Sequence, residues 1–274
     1  MSLLGLYQQL EQQEWIDIPS GWLQGRTVFG GLIAGLLIQK AILTVNDSAK
    51  QLLSCSVSFV GPVQQGAAKL TAEVLRQGKS VTTLEIRLWQ DDAVQSVLVA
   101  SFGLGRESRI VVNNQPTVPD YVTADQLEKM VYLEGLMPEC LQQFELCWAE
   151  GHYPMAGSKT PDFGGWCRFS PQLHSNRDLY LGDLFSLMDV WPPGVLPMFK
   201  TSAPASSLSW HITYIHPIEN QLHDWFKYKV VTEFAEHGYS TEYAYLWDSE
   251  NRLIAILRQT VAIFCLVDTS SYFV

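Results

Sequence analysis

The sequence predicts an α+β protein made of two tandem copies of one unit, each a buried helix wrapped by an antiparallel β-sheet. Three observations carry this. The first is a repeat. Ser56-Val57-Ser58-Phe59-Val60-Gly61-Pro62 answers to His211-Ile212-Thr213-Tyr214-Ile215-His216-Pro217, and Leu88-Trp89 answers to Leu246-Trp247. Val97-Leu98-Val99-Ala100-Ser101-Phe102 likewise answers to Ala255-Ile256-Leu257-Arg258-Gln259-Thr260. The prolines stand 155 apart (217 − 62) and the tryptophans 158 apart (247 − 89). Two like units in one chain imply a pseudo-twofold pair. The second observation is an apolar helical run ahead of each copy. The third is that short β-branched, apolar segments follow each run, separated by turn signals.

Residues 30–46, GGLIAGLLIQKAILTVN, are apolar on almost every side, so this helix must be buried. Asn46-Asp47-Ser48 supplies its stop. Strands are expected at 54–61 and 68–76, and the segment 81–104 reads as two strands in a hairpin. The turns fall at Gln77-Gly78-Lys79 and Gln90-Asp91-Asp92. Pro116, Pro119 and Pro138 break the rhythm in a connection that contains a helix near 123–135. The second unit opens with a short strand, Gly164-Gly165-Trp166-Cys167-Arg168-Phe169, which corresponds to Gly21-Trp22-Leu23-Gln24. A helix over about 178–190 follows, and Pro192-Pro193 ends it. Strands are then expected near 207–216, 224–235, 239–248 and 252–265. One long helix wrapped by an antiparallel sheet is the pattern of a hotdog fold, and two in a row make a double hotdog. The division is 1–110, a connection over 111–160, and 161–274 carrying the candidate chemistry.

Composition narrows the function. The hydrophobic fraction is 47% and the charged fraction 17%, which suits a packed domain and not a disordered chain. A net charge of −10 argues against a general nucleic-acid binder. Cys55, Cys140, Cys147, Cys167 and Cys265 form no metal-ligand spacing and suit buried thiols in a reducing compartment. MSLLGLYQQLEQQEW lacks the basic start and apolar core of a signal peptide. No stretch reaches the roughly 18 apolar residues that span a bilayer. A cytoplasmic protein with no metal and no membrane partner is the expectation.

A few polar residues do not fit the packing pattern. In the last strand Gln259 is the only polar member of the phase Leu253, Ala255, Leu257, Gln259, Val261, Ile263. A buried amide must be hydrogen-bonded, either to backbone or within a site. Asp189 ends an apolar helical run, where the helix dipole disfavours a carboxylate. Asp183, more than one turn earlier, competes with it. Ser207 falls by alternation with Ser209, His211 and Thr213, a polar phase that also suits a solvated strand start. His211 and His216 read as structural. Gly30-Gly31 at a helix start leaves backbone amides able to meet an anion, or simply allows close packing. There is no G-x-S-x-G elbow, no P-loop, no G-x-G-x-x-G, and no Asp-x4-His pair of a hotdog dehydratase.

Gly25-Arg26-Thr27-Val28-Phe29-Gly30-Gly31 resembles the helix entry of the double-hotdog acyl-CoA thioesterases of the thioesterase II type. Leu187-Met188-Asp189 before Pro192-Pro193, the segment Ser207 to Pro217, and the strand holding Gln259 resemble that family's second half in the same order. The resemblance spans about 20–105 and 164–265. It implies that Asp189, Ser207 and Gln259 orient a water that hydrolyses an acyl thioester, with no cofactor and no acyl-enzyme. The family's usual threonine is serine here, which keeps the hydroxyl and loses the methyl. The spacing after Asp189 also departs from the family pattern. The resemblance further implies oxyanion donors at Gly30 and Gly31 or at the second copy's helix start. An acyl chain would lie beside Leu32 and Leu36, and CoA phosphates near Arg87, Arg106 or Arg109. A role in fatty acid metabolism and association into a homo-oligomer are implied as well. The alternative is a double hotdog that binds acyl groups or acyl-CoA with a decayed site.

Overall fold

A computed structural model describes residues 2–264. Its elements are α1 (Leu3–Gln12), β1 (Trp15–Ile18), β2 (Leu23–Gln24), β3 (Thr27–Val28), α2 (Gly30–Val45), β4 (Gln51–Phe59), β5 (Gly66–Gln77), β6 (Val81–Gln90) and β7 (Ala93–Gly103). After a long irregular connection come β8 (Phe144–Gly151), β9 (Phe163–Phe169), α3 (Leu181–Asp189), β10 (Ala205–Tyr214), β11 (Phe226–Glu236), β12 (Tyr239–Trp247) and β13 (Leu253–Ile263). One sheet of eleven antiparallel strands runs β1-β5-β6-β7-β4-β10-β13-β12-β11-β9-β8. The order reads outward in the same sense from the central β4–β10 seam, so the molecule is a double hotdog.

The duplication is exact enough to be counted in register. At the seam Ser56 faces His211, and the Ser56 Oγ lies 3.0 Å from the His211 Nδ1. These residues are 155 apart, the offset of the repeated prolines, so the pseudo-twofold axis passes between them. The bulges repeat too. The β5–β6 shift between Val74 and Arg76 recurs 158 residues later between Thr232 and Phe234 in β11–β12. The Leu88/Trp89 shift recurs at Leu246/Trp247. The Leu52/Ser54 shift recurs 155 residues later at Ser207/Ser209. A bulge twists and re-aims its strand, so keeping it in both copies keeps the sheet's curvature around the helix.

α2 is apolar all round and is buried from Gly31 to Ile38. Asn46, in the left-handed region at φ 46°, ends it, and its amide bonds the Ile42 carbonyl. α3 lies against α2, and the two meet where Gly35 and Gly182 face each other. A Cβ on Gly35 would run into the Gly182 carbonyl, so the glycine is required by the crossing.

These expectations need correction. The edge strand matching β9 is β1, which pairs with β5 as β9 pairs with β11. Residues 23–24 pair only with 27–28. The helix near 123–135 does not form. Ala124–Gln126 makes one 3-10 turn, then Lys129 bridges Cys147 and the Met130 amide donates to the Leu146 carbonyl at 2.8 Å. Bonding along β8 and packing of Ala124 on Cys147 and Trp166 outweigh local helix propensity there. Part of the expected connection is thus β8, the last strand of the sheet. Cys265, and with it the end of the strand expected over 252–265, lies outside the described residues. Cys55, Cys140, Cys147 and Cys167 are buried free thiols.

α1 was not expected. Leu3, Leu6, Tyr7 and Leu10 form its buried stripe, and the Ser2 side chain accepts from the Gly5 amide at 3.1 Å. Among the described residues no helix is long and apolar enough to cross a membrane.

The helix crossing yields a stability test. Gly35→Ala should lower unfolding free energy by about 1–3 kcal/mol despite alanine's better helix propensity, because the added carbon overpacks the α2–α3 contact. Equilibrium urea unfolding checks it, and an unchanged or raised midpoint would contradict the close contact.

Candidate active site

The α2–α3 contact carries the end of one helix to the start of the other. Asp189, last residue of α3, sits against Gly30 and Gly31, first residues of α2. A Cβ on Gly31 would lie 2.8 Å from the Asp189 Cβ, and one on Gly30 would lie 3.0 Å from Oδ2. The Gly31 amide favours the ionised form of this carboxyl group. The misfit of an acid at its own helix's C-terminus is therefore offset by the positive end of a different helix.

Asp183 has other partners. Its carboxylate accepts from Arg177 at 2.6 and 2.9 Å, from the Tyr7 hydroxyl at 3.1 Å, and from the Tyr180 amide at 2.8 Å. The start of α3 is closed by this cap and by the Tyr7 hydroxyl lying against Gly182. The start of α2, with no side-chain cap, is the helix N-terminus that meets Asp189.

Across the sheet three side chains stand directly opposite one another on one face. Trp210 on β10 faces Gln259 on β13, which faces Glu242 on β12. The Trp210 indole N–H donates to the Gln259 carbonyl oxygen, and the Gln259 Nε2 donates to Glu242 Oε1 at 2.9 Å. The Gly194 amide donates to Glu242 Oε2 at 2.7 Å. An indole can only donate, so the amide's orientation is fixed: carbonyl toward Trp210, nitrogen toward Glu242. Asp189, Glu242 and Gln259 line one cavity of about 10 Å³, together with Met188, Trp191 and Tyr228. That is about the space one water molecule fills.

Ser207 is not among the side chains lining this cavity. It pairs with Val261, while Ser209 pairs with Thr260 and Trp210 with Gln259. The bulge between Ser207 and Ser209 slips the alternation by one residue. Ser207 therefore shares the inner phase with Trp210 and Ile212, not the outer phase of His211 expected from unbroken alternation. Leu32 and Leu36 are fully buried in the core and do not line the cavity. Arg87 pairs with Glu85 at 2.5 Å, and Arg106 and Arg109 are exposed beyond β7.

Glu242 and Trp210 were missed by the sequence reading. Ser240, Glu242, Ala244 and Leu246 form the buried phase of β12, and Glu242 is its only charged member. The argument that singled out Gln259 would have found it.

Burial and the neighbouring Glu242 charge hold the Asp189 carboxyl well above the usual carboxylate range, although the Gly31 amide opposes this. Burial pushes Glu242 up from 4.5 to about 7, against the Gly194 and Gln259 hydrogen bonds. Tyr228, stacked on Trp191 at 5.3 Å, is pushed up by burial and by both carboxylates.

The fold belongs to the hotdog class, and solved structures agree. A conserved protein with hot dog fold from Alicyclobacillus acidocaldarius matches with TM-score 0.81 at 20% identity, over 92% of this chain and 93% of that one. An acyl-CoA thioesterase II from Mycobacterium marinum matches with TM-score 0.71 at 16% identity, over 94% and 97%. The tesB protein of Mycobacterium avium subs paratuberculosis matches with TM-score 0.71 at 15% identity, over 95% and 99%. No curated protein matches by sequence. The family model of the acyl-CoA thioesterase N-terminal domain matches residues 18–103, and that of the C-terminal domain matches 117–263. The chain belongs to the acyl-CoA thioesterase family.

The raised Glu242 carboxyl has a stability consequence. It binds its proton more tightly folded than unfolded, so its contribution is full below pH 4.5 and is lost as pH rises to about 7. Glu242→Gln cannot titrate. Its stability relative to wild type should therefore climb by roughly 3 kcal/mol across that window. Urea unfolding at a series of pH values measures this, and a pH-independent difference would refute the buried acid.

Proposed function

We propose that the protein is a thioester hydrolase that cleaves acyl-CoA by direct attack of water. The observation that carries this reading is the meeting of Asp189 and Gln259, far apart in sequence, around one water-sized cavity at the start of α2. Membership of the acyl-CoA thioesterase family supports the substrate class.

Asp189, ionised, takes a proton from the water as its oxygen attacks the thioester carbonyl carbon. Gln259 holds the water through its amide nitrogen, supplying orientation. The positive end of α2 favours the negative charge that develops on the carbonyl oxygen. The carbon–sulfur bond then breaks, and the Asp189 carboxyl returns its proton to the departing thiolate. The products are a carboxylic acid and free CoA, with Asp189 ionised as at the start. Ser207, the next inner-face residue of β10 after Trp210 and paired with Val261, would support this pair from the side. The acyl chain would occupy the helix–sheet boundary near Leu32 and Leu36, whose side chains must part to admit it.

Hydrolysis of acyl-CoAs of graded chain length, followed with a thiol reagent, tests the reading. Asp189→Asn should lower kcat about 10²–10⁴-fold, Gln259→Ala about 10²-fold, and Ser207→Ala about tenfold or less. Since the base acts only when ionised and its pKa is raised, wild-type activity should fall away on the acid side well above the ordinary carboxylate range. Acyl-CoA that raises the melting temperature of a wild type unable to turn it over would favour the acyl-binding alternative instead.

A further inference from the structure

Glu242 is a carboxylate in the site to which the mechanism above gives no task. It is 2% exposed, and burying an acid is costly unless the surroundings reward it. The fold does not ask for it. A shift of 158 residues, the offset of the repeated tryptophans, carries Glu242 onto Leu84, and Leu84 faces Ala100 as Glu242 faces Gln259, so Ala100 and not the expected Ser101 is the counterpart of Gln259. Leu84 is fully buried at the matching place on β6, so leucine satisfies the architecture there.

What surrounds Glu242 is specific. From the loop after α3 the Gly194 amide holds Oε2, and from β13 Gln259 holds Oε1. From the end of α3 comes Asp189, and from β11 comes the Tyr228 hydroxyl group, with Asp189 and Tyr228 lining the same cavity. From the segment before β9, Asp162 accepts the Thr232 amide at 2.6 Å and adds a third negative group nearby. No cation is among the described residues that line the cavity. Two carboxylates facing one water-sized space with no counter-charge cannot both ionise cheaply, so they titrate as a pair.

We propose that Glu242 is a further positioning residue of this active site: it locks Gln259 with its amide nitrogen toward the cavity, and it shares one proton with Asp189. This rests on the hydrolase reading. The pair's one proton leaves Asp189 as the pH rises through the acid limb, while Glu242, ionised, keeps accepting from the Gln259 nitrogen. Asp189 then takes the water proton and returns it to the thiolate, so the pair ends as it began. The lock works because the Gln259 carbonyl is already taken by Trp210. Without Glu242 the amide nitrogen loses its acceptor and the side chain is free to turn.

The test uses the full chain and two substitutions. Glu242→Leu copies the residue of the sister unit, and Glu242→Gln keeps the shape should the leucine variant not fold. Thermal unfolding confirms folding, and acyl-CoA hydrolysis is measured across pH. Removing the negative neighbour should move the acid limb of kcat down by about one pH unit or more. The plateau should fall about tenfold or more with KM within about threefold, because orientation and not substrate binding is lost. A folded variant with an unmoved limb and an unchanged plateau overturns the proposal and leaves the hydrolase reading standing. Carboxyl 13C NMR titration gives a readout that needs no turnover. In wild type Asp189 and Glu242 should titrate in two linked steps, and in the variants Asp189 should titrate in one step at lower pH. If wild type hydrolyses no acyl-CoA, the hydrolase reading fails, while independent titration of the two groups overturns the shared proton.

Discussion

The α2–α3 contact is the constraint on which the site depends. Two glycines, Gly35 and Gly182, let the helices touch backbone to backbone. That closeness is possible only because neither residue carries a side chain at the crossing. It brings the C-terminal end of α3 to the N-terminal end of α2, where Asp189 meets the Gly31 amide. A carboxylate that its own helix disfavours is thereby stabilised by another helix. A single hotdog could not do this within one unit, because the two helix ends come from different copies.

The duplication is close to symmetric in backbone and asymmetric in chemistry. The bulges at Val74/Arg76 and Thr232/Phe234 show how faithfully the sheet is copied. Around the α3 start, however, Tyr7, Arg177 and Asp183 form a closed hydrogen-bonded cap. Among the described residues α1 has no counterpart in the second copy, and its Tyr7 is part of that closure. The matching end, at α2, faces Asp189, which lines one cavity with Glu242 and Gln259. Polar residues were thus distributed so that one of two equivalent corners is sealed and the other holds two buried carboxylates and an amide.

Much of this was legible in the sequence because it depends on periodicity. α2 announces itself by its unbroken apolar run, and β13 by alternation that leaves Gln259 as the odd member. The Ser56–His211 pair at the β4–β10 seam has the same spacing as the repeated prolines in the sequence. What was hidden depended on single-residue departures from period. The bulge at Ser207/Ser209 moves Ser207 to the opposite face from the one alternation assigns. The segment 123–135 has helical composition but gives its hydrogen bonds to β8. Alternation and helix phase do not separate Asp183 from Asp189, because what distinguishes them is the partners each meets in the fold: Tyr7 and Arg177 for Asp183, the α2 start for Asp189. Glu242 is legible by the same test as Gln259, as the one charged member of the phase Ser240, Glu242, Ala244, Leu246.

Gln259 shows how the sheet turns a flexible amide into a directional one. On an isolated strand its carboxamide could rotate freely between donor and acceptor orientations. Here the antiparallel register sets Trp210 on one side and Glu242 on the other. One neighbour can only donate, and the other, when ionised, can only accept. The amide therefore has one orientation that satisfies both, and it is held by residues from the two flanking strands. Glu242 in turn is held by the Gly194 amide, whose position follows from Pro192-Pro193 ending α3 and turning the chain toward β12. The same proline pair therefore ends the helix at Asp189 and delivers the donor that anchors the second carboxylate. Helix end, loop and sheet are coupled at this one corner, and a change in the turn after α3 would reach Asp189 and Gln259 together.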